Sequence, residues 1–157
     1  MILWTIQPKS TLDIIKEKGV FTCDTTKSEW YNSSNEFHRA YDWLVKEMDN
    51  RGIYHPKELQ LPLWAWHTIE YKHQKPDYYE MGFGKEGDEL ICIEFEISDN
   101  EVLLSDFDNW LLILNNDFVT ECNNGKEWDE EQQWLDNLPE DKRKTARMNH
   151  PHCLKIA

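Results

Sequence analysis

The segment "LICIEFEIS", Leu90 to Ser98, constrains the fold more than any other stretch of the chain. On an extended backbone Ile91, Ile93, Phe95 and Ile97 share one face, and Cys92, Glu94 and Glu96 share the other. This period-two alternation marks a strand with one covered and one wetter face. Interleaved with helical patterns, it predicts an α+β fold whose sheet is mixed or largely antiparallel, with flanking helices. "ILWTIQ", Ile2 to Gln7, is a second apolar, β-branched run that Pro8 stops. "VFTC", Val20 to Cys23, reads as another short strand. So does "LPLWAWHTIE", Leu61 to Glu70, where Leu63, Ala65, His67 and Ile69 alternate with Trp64, Trp66 and Thr68. Both faces of that segment are apolar enough to call for cover by protein or ligand. "EVLLSD", Glu101 to Asp106, is a short strand or an extended connection, and "DFVTEC", Asp117 to Cys122, a further strand.

Four helices fit between these strands. Ser10 stands before "TLDIIKEK" with Asp13 in the place of a shortened capping box, Leu12 and Ile15 point inward, and Gly19 terminates the helix. Ser33 and Glu36 form a full capping box ahead of Phe37, Tyr41, Leu44 and Met48, an apolar stripe at three- and four-residue steps that Gly52 closes. Ser105 and Asp108 start a helix over Phe107–Asn115 that buries Trp110, Leu111 and Leu114. From Lys126 the chain reads helical again, with Trp128 and Leu135 seven apart. At 157 residues the chain suits a single domain over 1–157, with a divergent or loosely ordered tail from about residue 139. The glycine-rich stretch from Lys72 to Glu89 reads as the most mobile segment.

Charge narrows the partners. Thirty acidic residues against 17 basic leave a net charge of −13. Nucleic-acid affinity rests on Lys and Arg neutralising phosphate, and "DKRKTAR", Asp141 to Arg147, is the one short basic cluster. Direct nucleic-acid binding is therefore not expected. No apolar run reaches the roughly 18 residues of a membrane helix, no secretory leader is visible, and Cys23, Cys92, Cys122 and Cys153 form no CxxC pair. The expectation is a cytoplasmic protein with reduced thiols and no membrane association.

Several residues are candidates for chemistry, and each has a plainer reading beside it. His150, His152 and Cys153, with Cys122, offer zinc-type ligands, but their spacing fits no standard site; an exposed tail is preferred and no metal is expected. Glu94 and Glu96 stand roughly 7 Å apart at Cα on one strand face. They could share acid–base work or hold a ribose hydroxyl, and a solvated face explains them as well. His67 can serve as a general base or as a hydrogen-bonded structural histidine. Arg51 can clamp a carboxylate or phosphate, or satisfy the carbonyls ending its helix. GxxxxGK[ST] and GxGxxG loops are absent. Eight tryptophans are present. Each buried indole N–H needs an acceptor, so a core alone is a costly use for so many, and flat rings stack well on bases, nicotinamides and sugars. The proposed ligand wall comprises Trp4, Gln7, Arg51, Trp64, Trp66 and His67.

"LWTIQ", "AYDWLVKEMDNRG" (Ala40 to Gly52), "LPLWAW" and "VLLSDFDNWLLILNN" together resemble a bacterial family catalogued as a domain of unknown function, number 3841 in that series. The resemblance covers about Ile2 to Asn116 and implies a small soluble bacterial protein. "ILWTIQ…LDIIKEKGVFTCD" is also similar in outline to the ADP-ribosyltransferase fold, which opens strand–helix–strand and places a Glu, often in an E-x-E pattern, on a later strand. That similarity implies NAD as cofactor and Glu96 as the catalytic carboxylate; Trp4 and Thr5 stand where the fold expects His or Arg. Two functions follow as expectations. One is a small-molecule domain for a nucleotide or NAD. The other is a non-enzymatic acidic protein engaging a basic protein partner through its charged surface.

Overall fold

A computed structural model describes residues 1–28, 31–56, 59, 61–77, 84–115 and 124–143. It bears out the α+β class. Strand β1 (Ile2–Pro8) pairs antiparallel with β2 (Leu90–Glu96), and helices α1 (Thr11–Lys18), α2 (Asn35–Asn50), α3 (Phe107–Leu114) and α4 (Gly125–Asp136) complete the regular elements of the described residues, with single 3-10 turns at Thr25–Lys27 and Asp99–Glu101. The chain forms two compact units, neither continuous in sequence. The first comprises Met1–Lys27 and Gly52–Val102; the second comprises Ser28–Arg51 and Leu103–Ala157.

In the first unit the register sets Ile2 against Glu96, Trp4 against Glu94 and Pro8 against Leu90. Bonds from Lys9 N–H to Glu89 O and from Ile97 N–H to Met1 O flank the ladder. They fix its parity: odd residues of β1 exchange main-chain hydrogen bonds with β2, and even residues turn theirs to the opposite edge. Leu3, Trp4 and Thr5 are buried, as are Thr11, Ile53 and Leu61.

Helix α1 runs as expected and ends on Gly19, whose φ of 72° lets its N–H reach Ile15 O. Its start differs. Ser10 lies in the helical region and its side chain makes no cap; its carbonyl instead takes the N–H groups of Asp13 and Ile14. Leu12 is exposed, because the expected inward face has turned toward Thr11. The strand expected at Val20–Cys23 does not form: among the described residues no strand pairs with it, and a β-branched run without a ladder stays irregular.

In the second unit α2 buries Ala40, Tyr41, Trp43 and Leu44, each large side chain contributing about 1.5–3 kcal/mol. Helix α3 adds Trp110, Ile113 and Leu114, and α4 adds Leu135. Tyr41 meets Trp110 edge-on at 5.3 Å. Arg39 donates to Ile113 O at the α3 C-terminus, where the helix dipole favours a cation. Three N-caps follow one rule: Ser34 accepts from Phe37 N–H, Asp106 from Asn109 N–H and Asn124 from Glu127 N–H. Two of them lie one residue beyond the expected Ser33 and Ser105. Leu111, expected inside, is exposed, since the buried stripe of α3 runs through Trp110, Ile113 and Leu114; in α4 Leu135 is buried while Trp128, seven residues earlier, is exposed. The expected strand at Asp117–Cys122, the tail residues His150, His152 and Cys153, the end of the basic cluster at 144–147 and the 78–83 part of the glycine-rich stretch lie outside the described residues.

Candidate functional site

The expected strand at Leu61–Glu70 is an extended segment instead, joined to the sheet by one main-chain pair. Trp4 and Trp66 exchange both main-chain bonds, Trp4 N–H to Trp66 O at 3.1 Å and Trp66 N–H to Trp4 O at 2.7 Å. Trp4 can do this because it is an even residue of β1, with its peptide groups turned away from β2. Neighbouring pairs do not form, so the segment never becomes a ladder. Thr5 instead donates its hydroxyl to Trp64 O at 2.9 Å, and Gln7 Nε2 donates to Thr5 Oγ1 at 2.8 Å.

Beyond Trp66 the chain reverses. Ile69 and Lys72 exchange main-chain bonds around Glu70 and Tyr71, whose φ values are 49° and 64°. Two successive positive φ values make the mirror-image turn that suits hairpins, a conformation that Asn and Gly adopt readily and Glu and Tyr do not. The reversal brings His73 back onto His67. Their rings stack at 4.5 Å and 17°, and His73 also leans on the Trp4 ring at 5.0 Å. His73 Nε2 donates to Ile2 O at 2.9 Å, which puts the proton on that nitrogen because a carbonyl only accepts. His67 Nδ1 and Thr68 Oγ1 share a 2.8 Å bond.

Trp4 and Glu94 are directly opposite in a pair without main-chain bonds, the closer of the two antiparallel spacings. Glu94 Oε2 therefore reaches the Trp4 indole and accepts its Nε1–H at 2.8 Å. Ladder parity puts Glu96 on the same sheet face, opposite Ile2. The result is an aromatic and carboxylate edge: the Trp4 ring is buried, Trp66 and His67 are half-buried, and Trp64, His73, Glu94 and Glu96 are exposed.

Of the candidate residues, Trp4, Trp64, Trp66, His67 and Glu96 come together in the first unit. Gln7 belongs there too, but its parity puts it on the sheet face opposite Trp4. Arg51 lies in the second unit, where it caps α2 and its N–H bonds Glu47 O. The sequence patterning points to neither Thr5 nor His73. Thr5 could have been found from its parity beside Leu3, while His73 carries no local signal and depends on the turn before it. Among the described residues no group of three or more His, Cys, Asp or Glu is placed to hold a metal ion. No helix among them is long and apolar enough to cross a membrane.

The architecture defines an α+β protein whose two-stranded sheet carries an aromatic edge. Over residues 2–152 the chain matches the family described as Domain of unknown function (DUF3841), and it belongs to that family. No curated protein and no solved structure matches the chain.

Proposed function

We propose that the chain is a small-molecule-binding domain, and that a nucleotide or NAD is held by its flat rings against the Trp64–Trp66–His67–His73 edge of the first unit. The observation that carries this reading is the stack of His67 on His73 against Trp4, at a turn held in two successive left-handed conformations, with Trp64 exposed two residues before Trp66. Backbone strain of this kind concentrates at ligand clamps. Base stacking on an aromatic ring contributes about 1–3 kcal/mol per base. Glu94 and Glu96, on the Trp4 face, are suited to accept from ribose hydroxyls. In the ADP-ribosyl-transfer form of the reading, Glu96 stabilises the positive charge developing on the ribose as nicotinamide departs.

Isothermal titration of the whole chain against NAD and a panel of nucleotides tests the proposal. Binding is expected, and Trp64→Ala should weaken it by roughly tenfold or more, because part of that residue is open to a stacking ligand. Absence of heat with every ligand removes the reading.

A further inference from the structure

The ladder parity has a second outcome on the far side of the sheet. With Ile91, Ile93 and Phe95 bonded to β1, the N–H and C=O groups of Leu90, Cys92, Glu94 and Glu96 point to the outer edge of β2. Among the described residues nothing pairs with them. A strand edge seven residues long is a template for another extended chain, and proteins usually blunt or cover such an edge. A two-stranded sheet is also the least self-sufficient kind.

The side chains along that edge specify what fits. Glu94 and Glu96 are exposed two residues apart on one face, and Asp88 and Glu89 lie exposed just before the strand. Ile91, Ile93 and Phe95 line the other face half-buried. An added strand therefore meets carboxylates with one set of alternate side chains and apolar surface with the other. We propose that the outer edge of β2 takes up an extended cationic segment of a protein partner, with Lys or Arg at every second position and apolar residues between. Opposite charges directly across a strand pair stabilise it, and like charges oppose it. A second copy of this chain fits poorly. Both copies would offer their even-numbered residues to the shared ladder, so Glu94 and Glu96 of each would crowd one sheet face. The net charge of −13 adds to that repulsion and steers a cationic partner inward.

Residue-resolved amide exchange on the whole chain tests this, using a capped seven-residue peptide of alternating Lys and Val. Controls are the Glu–Val counterpart and a peptide with the same residues in blocks. The free protein should show slow exchange at Ile91, Ile93 and Phe95 and fast exchange at Leu90, Cys92, Glu94 and Glu96. Adding the Lys–Val peptide should slow the even-numbered set by about tenfold or more and leave the odd set unchanged. Added salt should reverse the effect, and Glu94→Gln with Glu96→Gln should weaken it. The proposal is overturned by an even-numbered set that stays fast, or by equal protection from either control. It is equally overturned if those four amides are already slow without peptide, whether at all protein concentrations, which means a covered edge, or increasingly with concentration, which means self-pairing.

Discussion

Trp4 and Trp43 separate the burial of an indole from the satisfaction of its N–H. Both rings are buried. Trp4 donates to Glu94, whereas Trp43 Nε1 has no acceptor among the described residues. An unpaired buried donor costs about 1–3 kcal/mol, so removing it offsets much of what a smaller ring loses in contacts. Trp43→Phe should therefore stay within about 1 kcal/mol of the parent. Trp4→Phe should cost about 1–2 kcal/mol more than Trp43→Phe, a modest figure because Glu94 is open to water. Urea unfolding at constant slope measures the difference, and equal losses would refute the argument. The described thiols supply a pH test. Burial pushes Cys23 above the ordinary thiol value, helped by the negative charge of Asp24. Burial raises Cys92 as well; Lys75 opposes the shift and Glu94 adds to it. A raised value in the folded chain stabilises it fully below the ordinary thiol value, and that contribution is lost as pH rises through the folded one. At neutral pH both should alkylate more slowly than free cysteine, with stability falling as the solution turns alkaline. Peptide mapping after timed iodoacetamide labelling resolves the two sites.

Local signals decided most of the elements. Pro8 and Gly19 punctuate β1 and α1, and the stripe at Phe37, Tyr41, Leu44 and Met48 is a helix by spacing alone. Two caps stand one residue beyond the position the sequence pattern favours, because "SSN" and "SDF" each offer adjacent cap formers. Only backbone geometry chooses between them: Ser34 is extended, at φ −159°, when its hydroxyl accepts from Phe37. Ser34→Ala and Asp106→Ala should each cost about 1 kcal/mol, and Ser10→Ala under about half of that; thermal melts of the three variants check the ranking. The aromatic edge was legible as composition but not as arrangement. Whether Leu61–Glu70 is a strand depends on how much of it pairs through its main chain with β1, and among the described residues that pairing occurs only at Trp66. His73 enters through the Glu70–Tyr71 reversal, a turn without the Asn or Gly that would announce it. Tyr71→Gly should stabilise the chain by up to about 1 kcal/mol by relieving the left-handed backbone. If it also weakens ligand binding, the turn's rigidity belongs to the site.

For the molecule as a whole, charge is the simplest lever. A surplus of 13 negative charges destabilises the compact state through self-repulsion that salt screens. Raising sodium chloride from about 0.05 to 0.5 M should lift the melting temperature by a few degrees. A melting temperature that falls instead would mean that attractive pairs, such as Lys9 with Glu89, outweigh the repulsion. The remaining whole-molecule question is one of time. Trp4 is riveted by its backbone to Trp66 and by its indole to Glu94, so its neighbourhood is complete only when residue 94 is present. At a synthesis rate of about 5–20 residues per second, Ile2–Ile6 waits roughly five to twenty seconds after leaving the ribosome before β2 follows. Through that interval the nascent chain displays a bare, aggregation-prone "ILWTI". Slower growth temperatures or added holdase chaperones should thus decide the soluble yield before any property of the finished fold does.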